Sequence, residues 1–227
     1  MDYDTLKAYQ RKHRDTWTQG ANLRIHRALS WLKKAEIEHS NGDSDGEFVF
    51  LWIAFNAAYT SNYAAQSNDT ERQVYGQFFE RLAQSDTDSR LYNLVWTHYT
   101  GAIRSLISNK FVFQPFWDNV NYEDRGNDWQ ERFEAAKRRA NAALSEQDTV
   151  TILSIIMDRL YTLRNQILHG GATYESSVNR EQVKDGCKLL GAIVPVIVDL
   201  MMATGTEVWL SLIHIPSPRD RTRPRMP

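Results

Sequence analysis

Ile152, Ile156, Leu160, Leu163 and Ile167 recur at steps of four, four, three and four residues. That spacing returns each side chain to one stripe of an α-helix, so the segment from Thr149 must run along a core. Gly170 and Gly171 stop it. A second segment, Phe48 to Phe55, is apolar on all sides and continues into Ala57, Ala58, Tyr59 and Tyr63. Such a run exceeds an ordinary strand and fits a fully buried central helix.

The remaining chain divides in the same manner. A helix is expected over about 21–39, with Leu29, Trp31, Leu32 and Ala35 on one face and Asn41-Gly42 as its end. Further helices are expected near 71–83, 89–108 and 128–144, and the aromatic, proline-containing stretch 111–126 reads as an insertion or lid. A last helix over about 180–202 is polar at first and apolar later, with a kink expected at Pro195. No internal repeat, Gly/Ser linker or alternating strand pattern interrupts the series. The expected fold class is therefore all-α, a single helical bundle with an inserted helical segment, and 42% hydrophobic residues suffice for its core.

A lone cysteine, Cys187, excludes an internal disulfide framework and a Cys-based zinc site. It points to a reducing compartment, and the cytoplasm is the expected location. The stretch Met1 to Arg14 is charged and polar, and nowhere do eighteen apolar residues run together, so neither secretion nor a membrane span is expected.

Leu210 to Pro227 reads differently from the rest. Leu210-Ser211-Leu212-Ile213-His214-Ile215, followed by the arginine- and proline-rich end, resembles a translated transposon-end sequencing adapter. Residues 210–227 are therefore expected to be a non-native tail, with native residues lost after about Trp209. The competing reading is a basic, disordered tail able to touch RNA. Without that stretch, 23 basic residues face 27 acidic ones, a net charge of −4. A protein that coats nucleic acid is normally basic, so any RNA contact here has to be local.

Several motifs are weak. Asn41, Asp43, Asp45 and Gly46 imitate the first half of a calcium loop, but the position that needs a bidentate glutamate holds Trp52, which leaves a helix-to-helix turn. Zinc-type histidine spacing, a phosphate-cradling glycine loop and a serine elbow are all missing from the sequence, so no metal or cofactor is expected. Lys137-Arg138-Arg139 and Arg11, Lys12 and Arg14 alternate with acids and read as solvated helix faces more readily than as phosphate sites. Trp117, Tyr122 and Trp129 could stack bases, but packing of the insertion explains them more simply.

The end of the Thr149 helix carries more chemistry. Asn165 and His169 are four apart and share a face, so the amide could orient one imidazole nitrogen. Arg164 lies about 100° round the helix, but its long forked side chain reaches the same space. A helix C-terminus also favours a cation, which suits a histidine doing acid-base work. The plainer alternative is that Arg164 and His169 cap the last carbonyls.

Arg164-Asn165-Gln166-Ile167-Leu168-His169, near the end of a long apolar helix, resembles the signature of the HEPN superfamily. Trp52-Ile53-Ala54-Phe55-Asn56-Ala57-Ala58-Tyr59 upstream and His169-Gly170-Gly171-Ala172-Thr173 downstream resemble the Apea-like bacterial group. The resemblance spans about Leu23 to Met202. It implies one HEPN-like helical domain over 1–209, with its core at about 21–66 and 148–203 and the insertion at about 70–147. It further implies a homodimer through the motif-bearing helix, RNA as substrate, and metal-free cleavage by Arg164, Asn165 and His169, in phage defence or a toxin-antitoxin setting. Some members carry a tyrosine two residues after the histidine that a partner enzyme modifies; here Gly171 stands there and Tyr174 is off-pattern, so an antitoxin of that type is not supported. The other reading is a non-catalytic HEPN-like module that binds nucleic acid or protein.

Overall fold

The two apolar runs become the two central helices, and the other elements are arranged to cover them. The structure is a computed structural model and describes residues 1–59, 71–122, 128–169 and 171–204. The 210–227 tail, Tyr63, Gly170 and residues 123–126 of the expected lid lie outside the described residues. Those residues form α1 (Tyr3–His13), α2 (Gln19–Asn41), α3 (Ser44–Tyr59), α4 (Glu71–Ser85), α5 (Arg90–Asn93), α6 (Thr100–Ser108), α7 (Gln114–Asn121), α8 (Trp129–Ser145), α9 (Thr149–Leu168) and α10 (Arg180–Ala203). Short 3-10 turns lie at Arg14–Thr16 and Lys110–Val112, and no strand occurs among the described residues. The fold is an all-α helical bundle.

Local chemistry sets the boundaries. The Thr18 hydroxyl accepts from the Ala21 N–H to start α2, and Gly42 ends it at φ +77°, a conformation that a side chain resists. Asp43 Oδ1 then accepts from the Gly46 N–H at 2.9 Å at the start of α3. Asp148 caps α9 through the Thr151 N–H at 3.0 Å, and Trp96 Nε1 donates to Thr149 Oγ1 at 2.9 Å.

α3 packs between α2 and α10, while α9 packs against α4, α6 and α8. Arg24 of α2 is buried and donates to the carbonyl of Ala58 in the last turn of α3. Burial pulls its pKa down to about 10, which still leaves it charged at neutral pH. α10 is long and apolar enough to cross a membrane by length and composition, and 67% of its most apolar window is buried in the bundle. It continues through Pro195 as one element, although proline has no N–H to offer the Gly191 carbonyl.

Two expectations are corrected, and one element is added. Trp31 does not share the buried face of Leu29, Leu32 and Ala35; it is 38% exposed and stacks on Phe50 at 5.7 Å. The helix expected over 89–108 is broken, because a π-helical turn at Leu94–His98 separates α5 from α6. This wider turn shifts the helix face and lets Leu91, Val95 and Ile103 all reach the core. The charged N-terminal stretch is helical as α1: Asp2 caps it, Leu6 is buried, and the Tyr3 N–H donates to Glu36 Oε1 at 2.8 Å.

The two central helices meet at Gly186 of α10. A Cβ there would lie 2.7 Å from Phe48 Cε2 of α3 and 3.2 Å from Leu160 Cδ2 of α9. Both neighbours are fully buried, so neither can swing aside. Gly186→Ala should therefore destabilise: overpacking costs about 1–3 kcal/mol, against about 1 kcal/mol returned by helix propensity. Urea unfolding with an unchanged m-value should show the loss.

Cys187, next in the chain, is 5% exposed and donates through Sγ to the Ser44 carbonyl at 3.2 Å. Burial, with Glu47 nearby, pushes its thiol well above the usual range, and the thiolate is the reactive form. A disulfide reagent such as Ellman's should leave native protein unlabelled and titrate one thiol per chain after unfolding.

Candidate functional site at the end of the ninth helix

α9 is buried on most sides from Ile152 to Leu163 and then emerges from the bundle. Arg164, Asn165, Gln166 and Ile167 are half-buried, and Leu168 and His169 are exposed. The chemistry-bearing residues thus begin where the apolar stripe stops.

The three expected site residues fall within one turn, but their hydrogen bonding differs from expectation. Arg164 Nη1 donates to Asn165 Oδ1 at 2.9 Å. The carboxamide oxygen therefore holds the guanidinium, and among the described residues no hydrogen bond reaches the His169 ring. His169 is tied by its backbone N–H, which donates to the Asn165 carbonyl at 3.0 Å as the cap of α9. The arginine is also placed by aromatic packing: its guanidinium carbon lies 5.9 Å from the Tyr161 ring centroid, and Tyr161 lies 6.2 Å from Trp52 of α3. Arg164 Nε is buried and has no hydrogen-bond partner among the described residues.

Residues on either side anchor this turn. Gln166 Nε2 donates to the Phe111 carbonyl at 2.6 Å, and the same oxygen accepts from Trp117 Nε1 at 2.8 Å. Arg159, one turn before the motif, is 3% exposed with its guanidinium carbon 4.4 Å from the Phe113 ring centroid. The aromatic part of the insertion is thereby packed on α9. Phe116 contacts Trp117 at 5.3 Å and Trp129 at 5.1 Å, whereas Tyr122 is 54% exposed.

On the other side, the segment after the motif returns to α3. Asp45 Oδ2 accepts from the Glu175 N–H at 2.8 Å and from Arg180 Nη2 at 2.9 Å. That bond raises the Arg180 pKa, and the Asp43 carboxylate raises that of the exposed Tyr174 phenol. The carboxylates of the calcium-like loop thus serve as a cap for α3 and as an anchor for the returning chain. Among the described residues no group of three metal-ligating side chains gathers. The basic clusters lie on exposed faces: Lys137 pairs with Glu134 at 3.0 Å and Arg14 with Asp15 at 3.7 Å.

Between the returning segment, α2 and α3 lies a cavity of about 500 Å³, lined in part by Phe50, Ile167, Tyr174 and Asn179. Asp45 and Asn179 belong to this region and were not among the expected site residues. The sequence signals were the calcium-like loop that holds Asp45, which reads as a helix-to-helix turn, and an asparagine directly before a helix, which has the form of an ordinary cap.

Compared with family models, with curated proteins and with solved structures, the chain matches none.

Asp45→Ala leaves the Arg180 guanidinium and the Glu175 N–H without their shared acceptor. The side chains of Arg180 and Asp45 are only 21% and 12% exposed. A stability loss of about 1–3 kcal/mol is expected. Amide exchange should quicken over 171–179 before the rest of α9 is affected.

Proposed function

We propose that this chain is a HEPN-type endoribonuclease that cleaves RNA without a metal, works in the cytoplasm, and pairs with a second copy through the end of α9. The observation that carries this reading is the cluster at that end. An exposed histidine, His169, stands one turn from an arginine whose guanidinium is held by Asn165. Exposed Leu168 beside it supports the pairing, since an apolar side chain next to a polar site gains from being covered.

The proposed step follows from the residue types. His169 accepts the proton of a ribose 2′-hydroxyl as its oxygen attacks the adjacent phosphorus. The bond to the 5′ oxygen breaks, and that oxygen takes a proton from the imidazolium of the second copy's equivalent histidine. Arg164 stabilises the charge that builds on the phosphoryl oxygens. The products are a 2′,3′-cyclic phosphate and a 5′-hydroxyl. Asn165 acts by positioning Arg164, a role different from the histidine-orienting one read from spacing.

A second reading has its own support. Arg164 is half-buried over Tyr161 within its own bundle, which suits a structural role in a non-catalytic module that binds nucleic acid or protein. The two readings separate when a pool of structured and single-stranded RNA is incubated with chelator and purified protein. Wild type should cut to cyclic-phosphate ends, while His169→Ala should lose about a hundredfold or more of the rate. Intact RNA with wild type, or equal cutting by the variant, would favour the module.

A further inference from the structure

Asn179 directly precedes α10, where an asparagine ordinarily accepts a hydrogen bond from the helix's own N–H groups. Here its side chain makes no such bond. Its carboxamide makes no hydrogen bond to a described residue, and although the residue is only 6% exposed its amide atoms are not sealed from solvent, so they open onto the cavity that it lines. An amide that opens onto a cavity with no protein partner has both its donor and its acceptor free for whatever fills the space. Asn179 lines the cavity of about 500 Å³ beside the motif turn, a volume within the range of small-molecule sites.

The walls narrow the chemistry. Val49, Phe50, Ile167 and Ala172 supply apolar surface, and Phe50 is braced by the stacked Trp31 ring. Glu38, Asp43 and Asp45 line the same space against one lysine, Lys34, whose ammonium is paired with Glu38. An anion is disfavoured there. A flat, uncharged group rich in hydrogen-bond donors is favoured, since it meets aromatic and aliphatic walls, carboxylate acceptors and one amide offering a donor beside an acceptor.

We propose that this cavity binds an unpaired nucleobase carrying an exocyclic amine, with Asn179 reading its edge. This rests on the ribonuclease reading and gives it a substrate preference. Adenine, cytosine and guanine each present an amine among their edge groups, whereas uracil presents two carbonyls and a single N–H. Ile167 lines the cavity and belongs to the motif turn. A base seated there leaves its sugar and phosphates outside, clear of the carboxylates.

Titration of the full chain with adenosine, cytidine, guanosine and uridine, followed by NMR or calorimetry, tests the proposal without requiring cleavage. The three amine-bearing nucleosides should bind, and uridine should bind about tenfold more weakly or worse. Asn179→Leu should lose about tenfold for each ligand that binds. Asn179→Ser, smaller and able to cap α10, should show the same loss if the leucine variant does not fold. No binding of any nucleoside at millimolar concentration, equal binding of uridine, or undiminished binding by the folded variant would overturn the proposal. Wild type that cuts RNA but binds no nucleoside overturns the pocket and leaves the nuclease standing; nucleoside binding without cleavage does the reverse.

Discussion

The contact at Gly186 governs how the bundle can close. α3 and α9 are the two central helices, and each has its own partners: α2 and α10 for the first, α4, α6 and α8 for the second. Besides the contact of Trp52 with Tyr161, they are joined where α10 presents a bare backbone to Phe48 and Leu160 together. Helices approach as closely as the side chains between them allow, so removing one Cβ at the meeting point sets the spacing of three elements at once. The direction in which α9 emerges, and hence where its last turn meets solvent, follows from that spacing.

Much of this was legible in the sequence, for a physical reason. The stripe of Ile152, Ile156, Leu160 and Leu163 and the apolar run from Phe48 report burial directly, and burial is what decides a central helix. The peripheral elements were harder to read. α1 buries only Leu6 and Gln10, too little to raise a pattern above its charges. The π-helical turn at Leu94–His98 was hidden because a single extra residue in a helix changes the register without changing the composition. Trp31 does not share the face of Leu32 and Ala35 because it stands two residues after Leu29, well round the helix from it.

The site was legible as a set of residues and not as an arrangement. Spacing put Asn165 and His169 on one face, yet the amide oxygen is taken by the immediate neighbour, Arg164, whose guanidinium is a charged donor. The link from Asp45 to Arg180 joins positions 135 apart, and the cavity draws on α2, α3, the end of α9 and the segment before α10. No local pattern encodes such a meeting. It exists because α9 ends, turns, and must return to the start of α3 before α10 can begin.

The inserted aromatic segment was read from sequence as a possible lid, and its attachment argues for a fixed wall. Its carbonyl at Phe111 already has both lone pairs engaged, by Gln166 and Trp117, and its Phe113 ring covers the guanidinium of Arg159, only 3% of whose surface reaches solvent. Swinging the segment outward would break the Gln166 bond and strip the aromatic cover from a cation held inside the bundle. Whatever meets the last turn of α9 on the Gln166 side therefore meets a wall already in place, with its shape set before any contact is made.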